Sequence, residues 1–235
     1  MRRLLTSIAM AACLASGAVK AQDGLGNIDF SKVEIDRVIE LPIKGMSAVE
    51  SNGQILFISA NGRFAFSGQM FDLWYKRPVD TMAQVEDALS RIHLQQMGLE
   101  PESLNTVTMG TGSREVTIFT DPLCKACHAL AEELKAFADE YTFHFVVIPA
   151  LGDDSNKLAE RFSCAQSKDE ALTALLNGTL ATLPIQSDCD TSVYQKTLMA
   201  SHLMDINGVP FVIADDGRVS RGRPANLHQW LQGEY

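Results

Sequence analysis

Two cysteines three residues apart, Cys124-Lys125-Ala126-Cys127, constrain this chain more than any other feature. They stand between the apolar run Val116 to Phe119 and a helix-like stretch from Ala129 to Tyr141. At a strand-to-helix junction such a pair is a dithiol that can close. The first turn of a helix leaves backbone N–H groups unpaired and carries the positive end of the helix dipole, so a thiolate is favoured there. Cys124 is therefore expected to be the reactive sulfur, and Cys127, one turn in, the less exposed resolving partner. Lys125 and His128 are expected to modulate the site, because nearby positive charge lowers a thiol pKa.

Three other readings compete. Cys127-His128 completes a C-x-x-C-H string, the pattern of covalent haem attachment. The β-rich run before it and the Val209-Pro210 step downstream suit a redox dithiol better. A zinc site needs about four ligands, and the other cysteines lie far along the chain. A merely structural pair is the third alternative. No metal and no organic cofactor is expected.

Arg2 and Arg3, the apolar Leu4 to Val19 and then Val19-Lys20-Ala21 read as an export signal over residues 1–21, cleaved near Ala21. Cys13 lies inside it, but Met10-Ala11-Ala12 is a poor box for lipid attachment. Losing Arg2, Arg3 and Lys20 takes the net charge from −9 to about −12, which argues against nucleic-acid binding. No later stretch approaches the length of a membrane span, so no membrane insertion is expected after signal removal. The four cysteines beyond the leader suit disulfide chemistry in an oxidising compartment.

Residues 33–41 suggest a strand or short irregular element closed by Pro42. The runs Ile55 to Ser59 and Arg63 to Ser67, joined at Asn61-Gly62, predict a hairpin, either an ordinary surface one or part of a small sheet that pairs with another chain. Thr81-Met82-Ala83-Gln84 has capping-box spacing. The helix that follows, with Met82, Val85, Leu89 and Ile92 on one face, is expected to run to Gly98, about 25 Å at ~1.5 Å per residue. It reads as a connector between domains, with an ordinary core helix as the alternative. Gly98, Pro101 and Gly110 to Ser113 supply the boundary signals after it. The divisions are thus 22–80 for an amino-terminal α+β domain, 81–98 for a helical linker and 99–235 for the rest.

From Glu115 the expected order is strand 116–120, helix 128–141, strand 143–148, a helical insertion over about 155–204, strand 210–214, a turn at Asp216-Gly217, a short strand and a helix near 225–232. That order is α/β and thioredoxin-like, with an α-helical insertion. Ser167 to Glu170 repeats the capping-box pattern, and Asp190 or Thr191 is placed to cap the next helix. Cys164 and Cys189 fall in the insertion; a structural disulfide is the natural reading, with a second redox pair or a zinc site as rivals. In Asn207-Gly208-Val209-Pro210, a proline opening a strand cannot donate to a ladder, and a cis X-Pro bond would expose the preceding backbone to a ligand. A simple edge-strand proline is the plain alternative. His93, His144, His202 and His228 show no ligand spacing.

These residues together resemble the periplasmic disulfide isomerase family of bacteria, DsbC and DsbG. Phe119-Thr120-Asp121 before C-x-x-C-His, then Cys164 and Cys189, then Gly208-Val209-Pro210, follow the family's order. Leu41-Pro42-Ile43-Lys44-Gly45-Met46 and the hairpin after it look like its amino-terminal dimerisation domain. The resemblance implies a V-shaped homodimer, misoxidised exported proteins as clients, and a dithiol kept reduced by a membrane reductase of the DsbD type. Lys125-Ala126 stands where typical relatives have Gly-Tyr, and Val209 where a threonine commonly precedes the cis-proline; both positions tune redox poise. The expected activity is periplasmic thiol–disulfide isomerase or reductase, with Val209 and Pro210 holding substrate. A dithiol oxidase, a DsbG-like reductase or chaperone, and a c-type cytochrome are the alternatives.

Overall fold

The computed structural model describes residues 34–234 apart from 42, 44, 67 and 68. The leader expected over 1–21, Cys13, Val33, Pro42, Lys44 and Ser67 lie outside the described residues. The first strand, β1 (Arg37–Glu40), is shorter than the expected 33–41 and pairs with β2 (Met46–Ser51), which pairs with β3 (Gln54–Ser59) and through it β4 (Ala65–Phe66). All of these pairings are antiparallel. The β3–β4 turn uses Asn61 as foreseen: its side-chain oxygen accepts from Arg63 N at 3.0 Å and Ser59 Oγ at 2.7 Å, and Gly62 takes φ 66°. A two-stranded ribbon, β5 (Met70–Asp72) and β6 (Arg77–Val79), completes this part.

The expected helix over 81–98 is corrected. α1 spans Met82–Ser90, opened by a complete capping box between Thr81 and Gln84, and the chain turns extended at Arg91 (φ −129°, ψ 142°) before a 3-10 turn at Leu94–Met97. Burial explains the break. Met82 and Val85 join Leu41, Ala48, Phe57 and Val79 in one apolar cluster, whereas Ile92 and Leu94 join Phe119, Phe211 and Ile213 in another. A straight helix would leave one of the two sets in water. The segment is held from both sides: Tyr75 Oη donates to Arg91 O at 3.0 Å and accepts from His93 N at 3.1 Å, while Ile92 N donates to Gly217 O at 2.7 Å.

The larger sheet is formed by β7 (Thr106–Met109), β8 (Arg114–Thr120), β9 (Tyr141–Val147), β10 (Phe211–Ile213) and β11 (Val219–Arg221), in the order β11-β10-β8-β9-β7. β8 and β9 are parallel and the other pairs antiparallel. β7 corrects one reading: Gly110 to Ser113 is no domain boundary but the connection from β7 to β8. Gly112 must be glycine there, because a Cβ would lie 1.9 Å from the Glu140 carbonyl carbon. Side chains alternate between faces along a strand. Val116, Ile118, Phe143, Phe145 and Val147 thus face one core and Phe119, Val146, Phe211 and Ile213 the other.

α2 (Lys125–Leu134) and a 3-10 turn at Lys135–Phe137 replace the expected helix over 128–141; it starts earlier because Cys124 itself caps it. The insertion consists of α3 (Asp153–Ser163), α4 (Lys168–Asn177) and α5 (Ser192–Leu203), and α6 (Leu227–Gln232) closes the chain. Ser167 caps α4 by accepting from Glu170 N. At α5, Thr191 makes no side-chain cap, and Asp190 accepts from Ser192 N at 2.9 Å instead. Buried Asn105 ties the insertion to the sheet: its side chain donates to Val147 O at 3.1 Å and Ala159 O at 3.2 Å, and its N–H to Thr197 Oγ1 at 2.7 Å.

Cys164 and Cys189 are disulfide-bonded across a separation of 25 residues. Replacing both with alanine is expected to lower stability by about 3.5 kcal/mol, the loop-closure value for that separation. A urea titration checks this, and an unchanged midpoint would show that the insertion is held without the bond.

Candidate functional site

β8 delivers the chain to the C-terminal edge of the parallel pair, where Asp121 to Leu123 form a tight loop and α2 begins. Cys124 is the N-cap of α2: its Sγ accepts from Cys127 N at 3.1 Å, a position ordinarily held by an oxygen. The two sulfurs are bonded to each other. Both residues are buried, Cys124 at 6% exposure and Cys127 at 3%. The Val209-Pro210 bond is cis, and Val209 O lies 3.8 Å from Cys124 Sγ. The dithiol and the loop before β10, 85 residues apart in sequence, therefore meet.

The residues expected to modulate the site are arranged differently from one another. Lys125 and Ala126 are exposed, so both present themselves to whatever approaches the sulfurs. His128 is turned back on the loop, with Nε2 donating to Pro122 O at 3.0 Å. It stabilises the path of the chain into α2. Cys164 and Cys189 are engaged with each other and separate from this site. His144 is a buried sheet residue, 3.3 Å from Thr108 Oγ1 through Nδ1. Among the described residues no group of three or more His, Cys, Asp or Glu side chains is arranged to hold a metal.

Sequence reasoning gave Asp121 no role beyond its place in a motif. It is fully buried, and its carboxylate accepts from Leu123 N at 2.7 Å, Ser155 Oγ at 2.7 Å and Leu151 N at 2.9 Å, while its backbone oxygen accepts from Cys124 N at 3.1 Å. The available signal was an acidic residue directly after the run Val116 to Thr120, which is wholly apolar or threonine. Next to Ser155 in α3, Asn156 Oδ1 accepts from Tyr194 Oη at 2.7 Å. Burial, with the negative charges of Glu160 and Asp121, pushes the Tyr194 phenol up to about 12.

Comparison with known proteins gives a consistent result. Residues 15–82 match the family model described as the disulfide bond isomerase protein N-terminal domain, and residues 103–232 match the thioredoxin-like domain. The chain is 22% identical over 237 residues to a thiol:disulfide interchange protein DsbC of Haemophilus influenzae, covering 99% of this chain and 98% of the relative. It is 24% identical over 223 residues to the protein of that name from Escherichia coli K12, covering 92% and 90%. Among solved structures, a disulfide interchange protein of Neisseria gonorrhoeae aligns with 58% of this chain and 98% of its own at 21% identity and a TM-score of 0.49. No helix among the described residues is long and apolar enough to cross a membrane.

The raised Tyr194 value carries a pH dependence. A phenol whose folded value exceeds its unfolded value of about 10 stabilises the fold below pH 10 and loses that contribution as pH rises towards 12. The stability difference between the parent and Tyr194→Phe is therefore expected to stay level up to pH 10 and then move against the parent. Urea titrations from pH 8 to 12 test it, and a level difference throughout would contradict the assignment.

Proposed function

The chain belongs to the DsbC/DsbG family of thioredoxin-fold disulfide isomerases, and from that premise we propose a periplasmic thiol–disulfide isomerase and reductase in which Cys124 attacks and Cys127 resolves. The observation that carries this reading is the Cys124–Cys127 pair at the start of α2, with Cys124 Sγ receiving a backbone N–H and facing the Val209 carbonyl. A sulfur in that position gains charge stabilisation from the helix end, whereas Cys127, inside the first turn, does not.

Bonded to each other, the two sulfurs have no thiolate with which to attack. Two electrons and a proton from an external dithiol open the pair, leaving the Cys124 thiolate and the Cys127 thiol; a membrane reductase of the DsbD type is the proposed donor. The Cys124 thiolate attacks one sulfur of a wrong client disulfide, forms a mixed disulfide and releases the other client sulfur as a thiolate. Isomerisation follows when a client thiolate displaces Cys124 and leaves it reduced. Reduction follows when Cys127 loses its proton and displaces the client, re-forming the Cys124–Cys127 bond. The Val209 backbone supports the client strand beside Cys124 by main-chain pairing. Lys125 and Ala126 set the redox poise from the exposed side. Residues 1–21 act as the export leader, removed near Ala21.

Residues 22–80 are the proposed dimerisation domain. β1 and β4 are the outer strands of the four-stranded sheet, and the apolar side chains of Val38 on one and Phe66 on the other are exposed, with Ile35 and Phe64 beside them. An uncovered edge with apolar side chains is a template for another strand. Pairing two copies would cover it and set two dithiols across a shared cleft.

Cys127→Ala is expected to accumulate mixed disulfides with clients, because attack survives and intramolecular escape is lost; Cys124→Ala is expected to accumulate none. Non-reducing gels of the two variants decide, and equal trapping would refute the assignment of roles. A truncated chain beginning at Arg91, which keeps Ile92 and Leu94 in their core, is expected to be a monomer by sedimentation. It should retain dithiol reductase activity and lose refolding of a scrambled multi-disulfide substrate; undiminished refolding would defeat the dimer's part in isomerisation.

A further inference from the structure

We propose that Leu123 and Leu151 form an apolar rim beside Cys124 that receives an apolar side chain of the client next to the attacked sulfur, and that Asp121 is the positioning residue that holds the rim together. The inference rests on the disulfide-exchange reading and specifies its substrate preference.

The two leucines come from loops with no sequence relation, 28 residues apart. They are brought to one place by the parallel pairing of β8 with β9, which sends both loops off the same sheet edge; Ile148 N donates to Thr120 O at 2.9 Å and extends the pairing past the strand ends. Asp121 then joins them. One carboxylate oxygen takes the Leu123 N–H and the other the Leu151 N–H, so both backbones are fixed to a single buried side chain. Ser155 Oγ supplies the remaining contact from the first turn of α3. All three partners donate, so the carboxylate oxygens act as acceptors and are turned inward.

What the carboxylate leaves outside is apolar. Leu123 is 47% exposed and Leu151 57% exposed, although the backbone of each is anchored to the buried Asp121 carboxylate. Single exposed leucines are ordinary on protein surfaces. Two of them, with backbones tethered to one buried carboxylate that also sits at the start of the Cys124 loop, and with Leu123 next in sequence to Cys124, form the local surface that a bound chain would cover. The occupant is an extended client segment, because the Val209 carbonyl lies 3.8 Å from Cys124 Sγ and offers the main-chain acceptor such a segment needs. A strand there sets the side chain neighbouring its cysteine over the rim, where a leucine or phenylalanine is buried and a serine is not.

The test uses full-length protein, reduced with dithiothreitol and desalted, in single-turnover reactions with two peptide disulfides. The peptides are identical except for leucine or serine beside the attacked cysteine. Reaction is stopped with acid and read by chromatography. The parent is expected to reduce the leucine peptide about tenfold faster at subsaturating concentration, the scale of discrimination by a small apolar contact. Leu151→Ser and Leu123→Ser should each remove most of that ratio. Asp121→Asn presents an amide N–H2 to one of the two backbone donors, and it should lower the ratio through the KM for the leucine peptide. A merely structural role for Asp121 would slow both peptides alike. Met199→Ser, an exposed apolar residue on α5, should keep the parent's ratio. A parent that reduces both peptides equally, or a Leu151→Ser variant with the ratio intact, overturns the rim. A parent that reduces neither peptide overturns the exchange reading itself, and the rim with it.

Discussion

Parallel strands cannot be joined by a tight turn, so β8 and β9, paired from Arg114–Tyr141 to Thr120–Val147, require a crossover, and α2 with its 3-10 extension supplies it. Much of the active end follows from that pairing. The crossover helix must begin where β8 ends, which puts its unpaired N–H groups at the sheet edge. It must also cover the sheet, which buries Leu130, Ala131 and Leu134 against Val116, Ile118 and Phe145. The first residue that can stand at its cap is Cys124. On the far side of β8, antiparallel β10 brings its own start to the same edge, and the Val209 carbonyl arrives beside the sulfur. Two stretches of chain, 85 residues apart in sequence, thus meet at Cys124 through backbone pairing.

The electrostatics of the site are set by backbone more than by side chains. The nearest polar partner of Cys124 Sγ is the Cys127 N–H at 3.1 Å, a fixed dipole that solvent does not reach. Lys125, although adjacent in sequence, is exposed, so its charge acts through water and weakens with salt. His128 spends Nε2 on the Pro122 carbonyl. The buried Asp121 carboxylate is satisfied by three donors, and its orienting effect on the loop is independent of solvent for the same reason that the N–H dipole is. Positive side chains around the C-x-x-C pair are therefore adjustments to a stabilisation that the helix end already provides.

The thioredoxin-like sheet, the helical insertion and the hairpin at Asn61-Gly62 were legible because each is written in local patterns: continuous apolar strands, capping residues and a turn that accepts positive φ. The C-x-x-C pair was legible as a redox dithiol because the β-rich run before it and the Val209-Pro210 step downstream favour that reading over haem or zinc at the same spacing. The extent of α1 was not, because Val85 and Ile92 share a helical face in sequence while belonging to different cores. Periodicity reports that a face is apolar and not which partner covers it. β7 was missed for a related reason: Thr106 to Met109 is short, and it is a strand only because Phe143 to Val146 lie beside it. Asp121 and Leu151 escaped notice because a hydrogen bond across 30 residues leaves no periodic trace.

The break at Arg91 changes how the two parts of the molecule are coupled. A helix running from Thr81 to Gly98 would have joined them as a rod, with orientation set by helical geometry alone. Instead the chain leaves α1 in an extended conformation and forms a bridge from Arg91 to Arg218 in the β10–β11 hairpin, with Arg91 Nη1 donating to Asp216 O at 2.9 Å. On the opposite side the Tyr75 hydroxyl grips the same segment through Arg91 O and His93 N. Gly217 is needed in that hairpin turn twice over. Its φ of 83° favours glycine, and a Cβ there would lie 2.5 Å from the His93 ring. The orientation of the amino-terminal sheet relative to the dithiol therefore depends on a handful of hydrogen bonds around one hairpin turn. Because β10 is the strand that follows Val209-Pro210, the hairpin that anchors the amino-terminal part also continues the loop that faces Cys124.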